Sequence, residues 1–83
     1  MSRLDKWLFH ARFCRTRSLA QAATAAGRVR LNGRRVDRPS QTVMPGDILT
    51  LGRGAQVMAV RVLALAERRG PASEAQKLYE IVD

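Results

Sequence analysis

Residues 16–36 read TRSLAQAATAAGRVRLNGRRV, and this stretch decides the fold. Thr16 is a good helix N-cap, because its hydroxyl can accept from an open amide of the first turn. Leu19, Ala22, Ala23 and Ala26 recur at i, i+3, i+4 and i+7, the apolar stripe of a helix. The alanines imply close approach to a neighbouring helix. Arg17, Gln21, Thr24 and Arg28 share a polar face, and Gly27 supplies a left-handed stop. Val29, Arg30 and Leu31 then alternate up to Asn32-Gly33, and Arg34, Arg35 and Val36 return. Asn-Gly between alternating residues predicts a β-hairpin with a type I′ turn. In that register Arg30 faces Arg35 and Val29 faces Val36. Opposed like charges cost stability, so the hairpin is expected to present them to an anion.

Upstream, Leu4, Trp7, Leu8 and Ala11 form a second helical stripe, with Ser2 as its expected cap and Asp5 completing a capping box. Arg3, Lys6 and His10 fall on another side of that helix, and Arg12 to Arg15 read as a connection. Downstream, Asp37 to Gln41 read as a loop and Pro45-Gly46-Asp47 as a turn. A short strand is expected over Ile48 to Leu51, a turn at Gly52-Arg53-Gly54, and a longer strand over Val57 to Ala66. Arg68-Arg69-Gly70-Pro71 ends that strand. Ser73 is the expected cap of a short C-terminal helix carrying Ala75, Leu78 and Tyr79. The reading is one α+β domain over residues 1–83. Two N-terminal helices pack on a small, mainly antiparallel sheet, with a short C-terminal helix.

Charge is distributed unevenly. The 83 residues hold 15 Lys+Arg and 7 Asp+Glu, a net charge of +8. Ten of the basic residues and two of the acids lie between Met1 and Arg38; from Pro39 onward five of each cancel. Thirteen of the 15 are Arg, whose planar fork suits phosphate and whose face stacks on bases. Solubility alone would not require such polarity, so a polyanion is the expected partner. The binding face is expected within the first 38 residues, with Arg53 and Lys77 contributing little.

Other chemistries find less support. His10 and Cys14 stand four apart with no further His or Cys, too few for a zinc site. Cys14 reads as a small packed residue and His10 as a surface residue or one near the ligand. The single histidine has no recognisable triad partner, and Gly52 and Gly54 do not precede a helix as a phosphate loop would. No cofactor is expected. No signal-peptide pattern opens the sequence and no apolar run approaches the roughly 20 residues of a membrane span, so the cytoplasm is the expected compartment.

Four segments together carry a resemblance: RLDKWL from Arg3, TRSLAQAATAAGRV from Thr16, LNGRRV from Leu31 and PSQTVMPGDIL from Pro39. They resemble the S-four RNA-binding domain, the helix–helix–hairpin module built on the alpha-L motif. The match runs from Arg3 to Leu51. RLDKWLFHARF at the start and RRGPASEAQKLYE from Arg68 are similar to one subgroup, small bacterial ribosome-associated heat-shock proteins. The resemblance places the RNA surface on Arg3, Lys6, Arg12, Arg15, Thr16, Arg17, Gln21, Arg28, Asn32, Arg34 and Arg35. It implies structured RNA as partner, ribosomal RNA of the large subunit foremost, with tRNA as a second candidate. DNA binding in vitro is compatible with phosphate contacts, and no membrane is implied. The subgroup implies association with free large subunits that hold a nascent chain on tRNA, without catalysis. One departure lies at the C-terminal end: the subgroup's type member continues into a basic extension, whereas here charge is balanced after Pro39. Two rivals remain open: a targeting module of an RNA-modifying enzyme, and a module that applies its basic face to an acidic protein.

Overall fold

The apolar stripe read from the first residues is the centre of the core. In the computed structural model, which describes residues 1–82 and only the backbone of Arg53, Leu4, Trp7, Leu8 and Ala11 are all buried. They belong to helix α1 (Leu4–His10) and the residue that ends it. Phe13 stacks on Trp7 at 5.9 Å and meets Tyr79 at 4.6 Å, so the start and end of the chain close over one aromatic cluster. The Trp7 indole Nε1–H, which needs a partner once buried, donates to the Ala64 carbonyl at 3.0 Å.

Before α1, Ser2 is not the cap: Arg3 takes that position without a side-chain cap bond, and Ser2–Arg3 forms a short strand, β1, paired antiparallel with β4 (Thr42–Val43). Leu4 and Asp5 then donate their amides to the carbonyls of Gln41 and Pro39. Those bonds satisfy the open helix end, so the expected capping box is not used. Helix α2 (Arg17–Ala25) starts where expected, with the Thr16 hydroxyl accepting from the Leu19 amide at 3.0 Å. Its packing face differs from the expectation. Ala20 and Thr24 are fully buried, whereas Leu19 is 52% exposed and Ala22 and Ala26 face solvent. Thr24 escapes the cost of burying a hydroxyl by bonding the Ala20 carbonyl at 2.9 Å.

The hairpin follows as read. Strands β2 (Val29–Leu31) and β3 (Arg34–Arg35) pair with Arg30 opposite Arg35, and the Val36 amide donates to the Val29 carbonyl. Asn32 and Gly33 both take positive φ, 51° and 84°, as a type I′ turn requires. Strands β5 (Ile48–Arg53), β6 (Gln56–Val62) and β7 (Tyr79–Val82) complete an antiparallel sheet ordered β3-β2-β5-β6-β7. Three expectations are corrected here. Gly52 and Arg53 belong to β5, and the turn is Gly54-Ala55. β6 ends at Val62, and residues 63–66 run on as irregular chain against α1. The C-terminal helix α3 (Ala72–Ala75), with the 3-10 turn Gln76–Leu78, is capped by Pro71 rather than Ser73, and Tyr79 opens β7 instead of continuing it. One face of the sheet carries Val29, Leu49, Leu51, Val60 and Val62 into the core beneath the two helices.

Candidate nucleic-acid interface

The organising group is an acid. Asp5, one residue into α1, is completely buried, yet its carboxylate is fully engaged. Arg3 approaches it with two bonds, Nε to Oδ1 and Nη2 to Oδ2, both 3.1 Å. From α2, Arg17 Nη2 donates to Oδ2 at 3.2 Å and Gln21 Nε2 at 3.0 Å, and the Lys6 amide donates to Oδ1 at 2.8 Å. Burial pushes the carboxyl up, but the bonds from Gln21, Arg3, Arg17 and Lys6 outweigh it and hold it at about 2, below the ordinary 3.8. This explains the misread face of α2. Arg17, Ala20, Gln21 and Thr24 form the stripe that meets α1, and Arg17 and Gln21 reach a buried charge rather than a wall of apolar side chains.

The structure thereby brings Arg3, Arg17 and Gln21 to one point, with Lys6 exposed on the neighbouring turn. The connection before α2 carries Arg15, and Arg15 and Arg28 line one cleft running from the start of α2 to its end. Next to Arg28, the guanidinium of Arg35 lies against Gly27, whose φ of 75° and lack of a Cβ make room for it. Arg34 and Arg30 stand exposed beside it on the hairpin. Cations from α1, the connection, both ends of α2 and the hairpin therefore reach the surface around α2, together a cation belt.

Three expected members have other engagements. Arg12, at φ 66°, turns its Nε to the Gly70 carbonyl at 2.8 Å and fastens the C-terminal segment. Asn32 has its amide committed at both ends: Oδ1 accepts from the Ile48 amide at 2.9 Å and Nδ2 donates to Asp47 at 3.1 Å. Thr16 serves as the cap of α2. His10 is corrected outright. It is buried, with Nδ1 donating to the Ala66 carbonyl at 3.1 Å. Burial pushes the imidazole below its ordinary 6.5; the bond to Ala66 opposes this, and the charges of Lys6 and Arg17 add to it. Cys14 packs against the core, as expected.

Two cations of the C-terminal half are occupied, and Arg68 and Lys77 are exposed. Arg61 pairs with Glu80, and Arg69 lies 4.9 Å over the Phe9 ring while its Nε donates to the Phe9 carbonyl. The side chain of Arg53 lies outside the described residues. Sequence reasoning missed Asp5 as the hub. The available signal was an acid at the border of α1's apolar stripe, matched by Arg17 and Gln21 one turn apart on α2.

Comparison with known proteins places this geometry. The S4 domain family matches residues 2–49, which span both helices, the hairpin and the start of β5. Heat shock protein 15 of Escherichia coli K12 is 49% identical over 78 residues, 94% of this chain and 58% of that protein. Small ribosomal subunit protein uS4 of Chelativorans is 39% identical over 72 residues, 84% of this chain and 35% of that protein. A trimeric structure of Vibrio cholerae heat shock protein 15 is similar with a TM-score of 0.91 and 41% identity, covering 96% of this chain and 80% of that one. The chain thus spans 58% of the length of the Escherichia coli relative. With the helix pair, the hairpin and the matched residues in agreement, the chain belongs to the S4 domain family.

Proposed function

We propose that this chain binds structured RNA in the cytoplasm without catalysing a reaction on it, and that its target is ribosomal RNA of the large subunit. The observation that carries this reading is the belt of cations from α1, α2 and the β2–β3 hairpin, mounted on an S4 domain. Folded RNA offers phosphates at irregular spacings over a surface, and a rigid belt drawn from three elements matches such a surface by shape. Trp7 is buried and so provides no stacking platform for single strands. Similarity to heat shock protein 15 and to ribosomal protein uS4 supports RNA binding and ribosome association. The large subunit carrying peptidyl-tRNA, with tRNA as a second contact, is what the sequence resemblance to ribosome-associated heat-shock proteins implies.

Sucrose-gradient sedimentation of lysate containing the tagged protein tests this. Co-migration with free large subunits at low and moderate salt is expected. Migration with small subunits, or with no ribosomal particle even at low salt, overturns the assignment.

A further inference from the structure

The apolar stripe of α2 that does not meet α1 has another position. Leu19 and Ala23 form one wall of an open cleft of about 340 Å³, and Leu8, Phe13, Val29 and Leu51 line the rest of it. Leu19 is 52% exposed there, although the residues beneath it, Leu8, Val29 and Leu51, are buried core. A concave, mostly apolar cleft with a few convergent charged groups is the usual form of a ligand site. Among the described residues that line the cleft, the charged ones are Arg15 and Arg28.

We propose that this cleft receives one unstacked nucleobase of the bound RNA, with Arg15 and Arg28 holding the flanking phosphates or stacking on the base. The proposal rests on the RNA-binding reading. A nucleotide is the partner whose chemistry fits: it joins a flat, weakly polar ring to a phosphate, and the cleft joins apolar walls to two guanidinium groups. Sequence-selective RNA recognition commonly uses bases splayed out of loops and bulges, stacked on aromatic or guanidinium planes. The cleft also interrupts the cation belt between Arg15 and Arg28, so an RNA following the belt must pass over it.

The test uses five hairpin RNAs, four with a single bulged A, C, G or U and one with an abasic residue at that position. Their binding to the full chain is measured by fluorescence anisotropy at low salt. At least one bulged base should bind about tenfold or more tightly than the abasic hairpin. Leu19→Gln and Ala23→Met, the second filling the cleft, should erase that difference. In the unsubstituted protein, methyl NMR signals of Leu19, Val29 and Leu51 should shift with the favoured hairpin and stay in place with the abasic one. Equal affinity for all five, with the methyls unmoved, overturns the cleft's role but leaves RNA binding standing. Failure to bind any hairpin overturns both. Occupation of the same methyls by an acidic, leucine-containing peptide in preference to the hairpins would assign the cleft to a protein and overturn the proposal.

Discussion

Asp5 shows why a single residue can be both a folding and a binding determinant. Its carboxyl is held at about 2 in the folded chain against an ordinary 3.8. As pH falls, the unfolded chain therefore takes up the proton first. The contribution of Asp5 to stability is complete above about pH 5 and is lost as pH falls from about 4 toward 2. The shift corresponds to roughly 2 kcal/mol. Asp5→Asn should lower urea-unfolding stability by about that amount at pH 7 and flatten the acid limb of the stability profile. His10 acts in the same direction at higher pH. Its folded value lies below 6.5, so stability should also decline as pH falls through 6.5. Gly33 is a purer backbone case: φ is 84° and nothing lies within 4 Å of where a Cβ would sit. Gly33→Val should therefore cost about 1–2 kcal/mol through strain alone, and Gly33→Asn less, as thermal melts would show.

The elements differ in how cleanly they report on binding. Arg34 sits exposed on β3, opposite Leu31. Arg34→Ala should weaken RNA binding several-fold and leave stability within about 0.5 kcal/mol, the usual range for an exposed site. Arg17 belongs to the same expected RNA surface, but it is tied to the buried Asp5. Arg17→Ala should therefore lower both affinity and melting temperature, and comparing the two variants by anisotropy and thermal melt separates the roles. The same pair shows how legible each element was. The hairpin was readable to the register of individual residues, because Asn32-Gly33 admits few other conformations. The face of α2 was not, because hydrophobic periodicity has no way to represent a helix that packs through arginine and glutamine onto a buried carboxylate. β7 was missed for a related reason: Tyr79 suits a helical pattern as well as a strand, and only pairing with β6 selects the strand.

At the scale of the whole molecule, electrostatic polarity survives folding. Arg61 and Arg69 are held by Glu80 and Phe9, and the remaining C-terminal cations are balanced by acids, while the excess positive charge of the first 38 residues remains at the surface around α2. RNA affinity should therefore fall steeply with salt, and Arg34→Ala should reduce the log–log salt slope by about one unit. Lys77→Ala, on the short C-terminal turn, should leave both affinity and slope unchanged. The same measurements made on duplex DNA would show how much of the binding is phosphate attraction alone.

The sequence by itself determined the helix–helix–hairpin order, the Leu4–Trp7–Leu8–Ala11 core stripe and the concentration of charge in the first 38 residues. Each follows from local rules: periodicity, capping, turn conformation and the count of ionised side chains. Tertiary structure alone decided which face of α2 is buried, that Asp5 gathers Arg3, Arg17 and Gln21, and that Arg12 and Asn32 are engaged as fasteners. It also decided that Leu19 and Ala23 line an open cleft. These features depend on what lies opposite a side chain in space, and burial of a charge is favourable only when partners distant in sequence arrive to satisfy it.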